Sequence, residues 1–496
     1  MWQAINATEA SDLHIEWNAK KRLEGRDPYF VWADLTRLRG LVAQNQDRAG
    51  YVSLSFPVSN GVECVAGEEA GKEDEAIRQT KTRRRVGLLI ERDASIDDVP
   101  ATLDGVTRCG LYLPTDPFFT AELNWEHNLH VFDNALRHGG IEGWGSFEIG
   151  SAVYTDAELQ LQVGFDVGAT PPNFPPLQVP KSYLENKAHR SEESIGDEFI
   201  VVIDHGCAFA QPAFLHPDGK TRVAFLWDQD RRRTGQANAR NSVWRPVKGQ
   251  FDQFVYGAEL TSDDIDKLSA KHKDRSTGVI DESSVYEELV YDVMRQGSSH
   301  GTHVMSLAAG WPNPINASAT IGPRDRAGNA KIIFVQLPRD AVADTSGASM
   351  NVAVLDALAY VRLRTKPNDR VTICLSYGSF SGGHTGRSRL DRAINHMLKE
   401  HAGRWKLFVA AGNAYEAACH ASQDISAERP GRFQVAIDPD CRMETFIELW
   451  AAGLNEFSVR IRPPNCGDFL ESVGPNQASV WTAPGWPGTE SAKVSP

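Results

Sequence analysis

The chain has 496 residues, of which 41% are hydrophobic and 24% charged, a length and composition typical of two or three globular domains. Its formal net charge of −13 argues against a general binder of nucleic acid or of anionic membranes, because both ligands attract basic surfaces. The sequence shows no signal peptide, no apolar run of membrane-spanning length and no CxxC pair among its scattered cysteines, so we expect a cytoplasmic protein with reduced thiols.

Residues 1–167 form an N-terminal region whose fold the sequence does not define. Strand-like segments at 85–90 and 159–163 lie among polar and charged clusters. The next segment, 168–190, is rich in proline, which lacks the N–H that a sheet ladder needs. We expect it to be an extended linker between two domains. Inhibition, substrate recruitment and partner sensing are all open as roles for the N-terminal region.

The pattern changes at about residue 191, where a second and larger domain is expected to begin and to extend over 191–496. Its strands are predicted where short segments are apolar on both faces, as in a parallel sheet: residues 199–203, 331–335, 371–375 and 407–411. Between them, apolar residues recur at helical spacing: Val354, Leu358 and Val361, then Leu390, Ile394, Met397 and Leu398. This alternation predicts an α/β fold with a doubly wound parallel sheet.

Two stretches of this domain are long enough to be insertions, at about 216–290 and 437–470. In the second stretch, Phe457, Val459 and Ile461 alternate with polar residues. Such alternation is typical of a strand with one buried and one solvated face. We therefore predict a small antiparallel β insert near the C-terminus.

Polar residues stand at the carboxyl ends of the predicted strands, where active sites of such sheets lie. Asp204 follows the first strand, Asn413 follows the last, and His300 opens a His-Gly-Thr-His sequence between them. Each residue alone has a structural explanation: Asp and Asn cap helices or form turns, and His300 with His303 could be a metal pair on one helix face. Metal binding is the weaker interpretation, since no third ligand is evident. The three residues together favour a catalytic site.

This set of residue types suits acyl transfer. A serine hydroxyl becomes a good nucleophile when an imidazole accepts its proton and a carboxylate holds that imidazole in the right tautomer. His300 would be the base and Asp204 its orienting partner. The reaction then forms an oxyanion, which a carboxamide such as that of Asn413 can stabilise.

The segments 199–206, 297–310 and 407–413 resemble the Asp, His and Asn boxes of the subtilisin-like serine peptidases, in the same order along the chain. The resemblance implies a subtilisin-like fold and gives Asp204, His300 and Asn413 the three roles described above. It also implies that the second histidine of the box, His303, packs inside the helix.

The same resemblance implies a set of substrate-binding residues. An edge segment would pair with extended substrate backbone: Leu375, Ser376, Tyr377 and Gly378. A second segment would form a wall of the primary specificity pocket: Ala410, Ala411 and Gly412. The implied partner is an extended peptide or protein substrate. No cofactor is expected; calcium sites are frequent in the family, but no acidic loop here assigns calcium ligands.

The sequence departs from the family pattern at the nucleophile, which the family carries in a Gly-Thr-Ser motif at the start of a long buried helix. Here Gly488 and Thr489 are followed by Glu490, so Ser491 fits the motif only with one inserted residue. We expect a chain that ends before that helix and exposes the apolar surface it would cover. Two functions remain open: a serine-type endopeptidase, or an inactive peptide-binding or regulatory protein.

Overall fold

The computed structural model describes most of the second domain and the central part of the N-terminal region. The described residues are 2–3, 84–92, 102–103, 106–124, 140–141, 145–149, 154–155, 196–230, 243–249, 254–291, 293–294, 299–311, 325–343, 350–378, 380, 382–414, 417–436, 447–450, 457–462, 467–469, 472–474, 479–482 and 490–494. The predicted strand 159–163 and the predicted linker 168–190 lie outside them.

Strands are numbered here in chain order. They are β1 (Trp2–Gln3), β2 (Arg84–Arg92), β3 (Thr102–Leu103), β4 (Val106–Arg108), β5 (Phe118–Asn124), β6 (Gly140–Ile141), β7 (Gly145–Ile149), β8 (Tyr154–Thr155), β9 (Glu198–Asp204), β10 (Val223–Asp228), β11 (Arg245–Lys248), β12 (Phe254–Thr261), β13 (Lys331–Gln336), β14 (Arg370–Leu375), β15 (Trp405–Val409), β16 (Ser479–Thr482) and β17 (Glu490–Val494).

Helices are numbered in the same way. They are α1 (Ser262–Lys271), α2 (Glu282–Glu288), α3 (His300–Ala309), α4 (Arg326–Asn329), α5 (Arg339–Ala343), α6 (Met350–Arg364) and α7 (Arg389–Glu400). Among the described residues, none of these helices combines the length and apolar character needed to cross a membrane.

The central sheet has the strand order β11-β12-β10-β13-β9-β14-β15. The strands from β10 to β15 in this order run parallel, whereas β12 is antiparallel to both β10 and β11. The doubly wound α/β fold is therefore confirmed, with two antiparallel strands added at one edge. The stretch 216–290, predicted as an insertion, supplies three strands of this sheet together with α1 and α2.

Each predicted parallel strand is present within two residues of its expected bounds, as β9, β13, β14 and β15. They form because continuous apolar runs can be buried on both faces only inside a covered sheet. In β9, Phe199 to Asp204 are all buried. The carboxyl ends of β9, β14 and β15 lie side by side, which places Asp204 and Asn413 at the same rim of the sheet.

A second sheet, in the N-terminal region, packs on the outer side of α6 and α7. Its strand order is β3-β4-β5-β2-β7-β6, with β8 also paired to β2, and all of these pairs are antiparallel. β2 contacts both helices and β5 contacts α6. Consequently α6 is buried nearly all round, from Val352 to Val361, because the two sheets cover opposite sides of it.

A fully buried carboxylate, Asp356, lies in the middle of α6 at this junction. From the N-terminal region, Tyr112 Oη donates to its Oδ1 at 2.7 Å and Thr120 Oγ1 donates to the same atom at 2.5 Å. From β12, Tyr256 Oη donates to Oδ2 at 2.8 Å. Burial raises the pKa of Asp356 to about 6, although these three hydrogen bonds act in the opposite direction.

An ion pair joins the same two units beside the carboxylate. Arg362 of α6 donates from Nη1 to Asp116 Oδ1 at 3.0 Å and from Nη2 to Oδ2 at 2.5 Å, and the side chains are only 9% and 6% exposed. Two parallel hydrogen bonds of this kind fix the relative orientation of the partners. Polar contacts therefore set the register in which the N-terminal sheet sits on α6.

Replacing Arg362 with Ala leaves the buried Asp116 carboxylate without its guanidinium. We expect Arg362→Ala to lower the free energy of unfolding by about 3 kcal/mol, measured by denaturant titration. The matched control is Arg326→Ala, which removes an exposed ion pair: the side chain of Arg326 is 69% exposed and that of its partner Glu198 is 35% exposed. For this variant we expect the free energy of unfolding to fall by less than about 1 kcal/mol. Equal losses in the two variants would contradict the importance of the buried pair.

Asp356 gives the stability a defined pH dependence. Its pKa is about 6 in the folded protein against 3.8 for an ordinary Asp, so between these values the folded state holds a proton that the unfolded chain has released. The free energy of unfolding should therefore rise, by up to about 3 kcal/mol, as the pH falls through about 6 towards 4. The measurement is the difference between wild type and Asp356→Asn over a pH series; parallel pH profiles would show that Asp356 does not titrate in this window.

Candidate active site

Asp204 and His300 form a direct contact at the rim of the central sheet. Asp204 ends β9 and is fully buried, and its Oδ1 lies 2.8 Å from His300 Nδ1. The same Oδ1 accepts a hydrogen bond from the backbone N–H of His205 at 2.7 Å. Since an ionised carboxylate only accepts, Nδ1 of His300 must carry the proton. The other imidazole nitrogen, Nε2, is thereby left as an acceptor.

His300 is the first residue of α3, and the local sequence explains why the helix starts there. The preceding residue, Ser299, has extended backbone, and its Oγ accepts from Thr302 N at 3.2 Å, which makes it the N-cap. The His300 side chain is 54% exposed, so one side of the ring is open to a ligand. By contrast, His303 is exposed on α3; the expectation that it packs inside the helix is wrong.

The loop after Asp204 is bound closely to the start of α3. Gly301 N donates to His205 O at 3.0 Å, and Ala208 N donates to Thr302 Oγ1 at 2.7 Å. A Cβ atom on Gly301 would collide with the carbonyl oxygen of Gly206. In the His-Gly-Thr-His sequence, the glycine therefore leaves room for the loop after Asp204 to approach α3, and the threonine holds the loop there by a hydrogen bond.

Burial dominates the electrostatics of this pair. It raises the pKa of the Asp204 carboxyl, and the hydrogen bonds from His300 and from His205 N–H act against that rise. Asp204 Oδ2 is also buried and has no hydrogen-bond partner among the described residues. Burial lowers the pKa of the neighbouring His205 to about 4, so that this imidazole is neutral at pH 7 and adds no charge next to the carboxylate.

Tyr377 covers part of the His300 ring. The two ring centroids are 5.6 Å apart and the planes meet at 74°, an edge-to-face arrangement. Burial, followed by the charge of Asp204, raises the pKa of the Tyr377 hydroxyl to about 12, so it stays protonated at neutral pH. Tyr377 therefore lies directly beside the imidazole, just after the end of β14.

The remaining predicted substrate residues lie at the end of β14 and directly after β14 and β15. Leu375, the last residue of β14, is buried, Ser376 and Tyr377 are partly exposed, and Gly378 is exposed. Ala410 N donates to Leu375 O at 3.0 Å, so the two predicted binding segments start side by side. Leu375 therefore packs in the core, and only the residues after it can meet a ligand.

Asn413 and the segment before it follow β15 and are exposed to solvent. Ala410, Ala411, Gly412 and Asn413 are all exposed, and Gly412 has a φ of +94°, a conformation that favours glycine. Asn413 makes no hydrogen bond to any described residue. Its carboxamide is thus on the same sheet rim as Asp204, two strands away, and not engaged by its own neighbours.

Apolar side chains are exposed next to this part of the rim. In β15, Phe408 and Val409 are 59% and 55% exposed, although strands of such sheets are usually buried. Further along the chain, other large apolar side chains are exposed as well: Phe433, Val435, Ile447, Leu449, Trp450 and Phe457.

Val459, in the predicted β insert, forms an antiparallel bridge with Val473, which lies just after the predicted end of the insert. Ser458, Arg460 and Arg462 are exposed, whereas Val459 and Ile461 are less so.

Ser491, the nearest match to the family nucleophile, lies in a strand and not at the start of a helix. β17 pairs antiparallel with β16, with an irregularity in register next to Ser491. This small sheet, completed by β1, is distinct from the central one. The side chain of Ser491 is outside what the structure describes.

The described ranges contain no cluster of three or more His, Cys, Asp or Glu side chains that could hold a metal ion.

A mostly parallel α/β sheet with a buried Asp in contact with a His at its rim defines the class of protein: an α/β domain that carries an imidazole–carboxylate pair at the carboxyl ends of its strands. Comparison with known families makes the assignment specific, because residues 197–436 match the family model described as the Subtilase family. This segment is a subtilase domain, so the resemblance seen in the sequence is confirmed.

Other comparisons add little to that assignment. No curated protein matches the chain. Among solved structures, the chain is similar to the CspB protease of Clostridium perfringens, with 18% identity and a TM-score of 0.31. The alignment covers 45% of this chain and 38% of that protease.

Substitution of Gly206 tests whether the loop after Asp204 must lie close to α3. It has a φ of +84°, and a Cβ there would collide with Ser299 Oγ, the N-cap of α3; Gly219 has the same φ with nothing within 4 Å. We expect Gly219→Ala to lower the free energy of unfolding by about 1 kcal/mol, from backbone strain alone. Gly206→Ala should cost about 1 to 3 kcal/mol more, from overpacking. Denaturant titration measures both, and equal costs would show that the contact with Ser299 is not tight.

Proposed function

We propose that this chain is a serine-type endopeptidase of the subtilisin-like class, acting on extended segments of peptide or protein. The observation that carries the proposal is the 2.8 Å contact between His300 Nδ1 and the fully buried Asp204 Oδ1 at the sheet rim. A buried carboxylate that accepts from Nδ1 fixes the tautomer in which Nε2 can take a proton. The match to the subtilase family supports the same reaction class.

In the proposed mechanism a serine Oγ–H gives its proton to His300 Nε2 while Oγ attacks the carbonyl carbon of the substrate. The resulting imidazolium is stabilised by Asp204, and the tetrahedral oxyanion by the carboxamide of Asn413. His300 then returns the proton to the leaving amine, and water attacks the acyl-enzyme in a second cycle of the same steps. Every step requires an imidazole held by a carboxylate, which is the arrangement at this rim.

Substrate recognition is proposed to use the exposed segments after β14 and β15. An extended peptide can add to a sheet edge through backbone hydrogen bonds, which favours unfolded or loop segments as substrates. Ser376, Tyr377 and Gly378 would lie along one side of the peptide, and Ala410 to Gly412 along the other. The partial exposure of Ser376 and Tyr377 and the exposure of Gly378 and of the segment 410–412 support this placement.

The nucleophile is tested with a fluorophosphonate probe on the full chain, followed by mass spectrometry of the labelled peptide. We expect one serine to be labelled stoichiometrically, and His300→Ala to slow labelling and any peptide hydrolysis by roughly 10³-fold or more. His303→Ala is the matched control, because it removes the exposed histidine of the same sequence and should leave the rate unchanged.

The labelling result identifies the nucleophile and distinguishes a peptidase from a peptide-binding protein. Label on Ser491, lost in Ser491→Ala, would identify that residue as the nucleophile, and label on another serine would replace it. A folded wild type that takes up no label, or a His300→Ala variant that reacts at the full rate, would contradict the peptidase proposal and leave a peptide-binding protein.

A further inference from the structure

The buried side chain of Gln336 lies beside the Asp204–His300 pair, and sequence patterns give no hint of it. Gln336 is the last residue of β13 and is 1% exposed. In the sheet it pairs with Asp204 on one side and with Asp228 on the other. A glutamine between two buried carboxylate residues supplies hydrogen bonds without a third negative charge.

We propose that Gln336 is a positioning residue for the Asp204–His300 pair, acting through the backbone turn that follows Asp204. Its Oε1 accepts from Gly206 N at 2.7 Å and from Tyr291 Oη at 3.0 Å. Its Nε2 donates to Leu337 O at 3.0 Å. The carbonyl oxygen thus accepts two hydrogen bonds and the NH2 group donates one, which fixes the orientation of the carboxamide.

The turn transmits this anchoring to the carboxylate. The peptide preceding Gly206 carries the carbonyl of His205, which accepts from Gly301 N at the start of α3. The N–H of His205 donates to Asp204 Oδ1, the same atom that receives His300 Nδ1. A rotation of the backbone at Gly206 would thus disturb both the direction of the carboxylate and the seat of the helix that presents His300.

The backbone torsion angles of Gly206 can change easily unless a contact restrains them. Its φ of +84° is open to glycine and strained for other residues, and its N–H points into the protein interior, where an unpaired donor is costly. The Oε1 atom of Gln336 is the acceptor for that N–H. Tyr291, itself buried, braces the same oxygen from the segment after α2.

Gln229 offers a matched control. It is also a fully buried glutamine, located directly after β10. Its Nε2 donates to Ala353 O of α6 at 2.9 Å. Its backbone N–H donates to Gln336 O at 3.1 Å, a bond that a change of side chain does not remove. Replacing it removes a buried carboxamide of the same size and leaves the turn at Gly206 untouched.

The test measures the tautomer of His300 by ¹⁵N NMR of histidine-labelled full-length protein at alkaline pH, where imidazoles are neutral. Asp204→Ala assigns the signal. In wild type we expect His300 to be protonated at Nδ1. In Gln336→Met the ratio of Nδ1-protonated to Nε2-protonated ring should fall at least about tenfold, because the bond to the charged carboxylate is weakened. Gln229→Met should keep the wild-type ratio.

If Gln336→Met does not fold, Gln336→Asn takes its place, since its amide is one methylene too short to reach Gly206 N. A folded Gln336 variant that keeps the wild-type ratio would overturn the proposal. So would an equal fall in Gln229→Met, because the effect would then come from general packing.

The functional meaning of Gln336 rests on the proposed peptidase activity, but this readout does not. A wild type that takes up no fluorophosphonate would refute the activity and leave the tautomer result standing. A normal tautomer in Gln336→Met together with full labelling would refute the role of Gln336 and leave the activity.

Discussion

The site depends on one constraint: a carboxylate that is fully buried at the end of β9 must be met by donors that can approach it closely. Asp204 obtains them from His300 and from its own neighbour's backbone N–H. The approach is possible because glycines stand at the two points where the loop and α3 touch, Gly206 and Gly301. A Cβ at either position would collide with the facing segment, so the close approach of the Asp204 loop to the start of α3 depends on both glycines.

A second buried carboxylate, Asp356, links the N-terminal sheet to the subtilase domain. Hydroxyl donors from both units converge on it, and the Arg362–Asp116 pair fixes the orientation beside it. Buried polar groups of this kind are costly unless every one is paired. The contacts on Asp356 and the Arg362–Asp116 pair therefore favour one orientation of the two units, and α6 is buried between them.

Much of the central sheet could be predicted from sequence because its signal is local. Runs such as 199–203 and 331–335 are apolar on both faces, and only a covered parallel sheet buries such runs. The pairing of Asp204 with His300 followed from the order of three motifs. Gln336 and Tyr291 could not be found in this way, since their roles arise from contacts across strands and segments far apart in sequence. In the N-terminal sheet the segment 85–90 was expected to be a strand and lies within β2. The sheet as a whole was not predicted, because its strands pair with partners that are not local in sequence.

The proposed chemistry requires the imidazole of His300 to lie against the carboxylate of Asp204 in the full chain. A crystal structure tests that most directly. We predict Nδ1 of His300 within hydrogen-bonding distance of an Asp204 carboxylate oxygen, near the 2.8 Å found here, with Nε2 facing the open rim beside β14. A structure in which the ring points away, or in which another side chain fills the space between the two residues, would contradict the account.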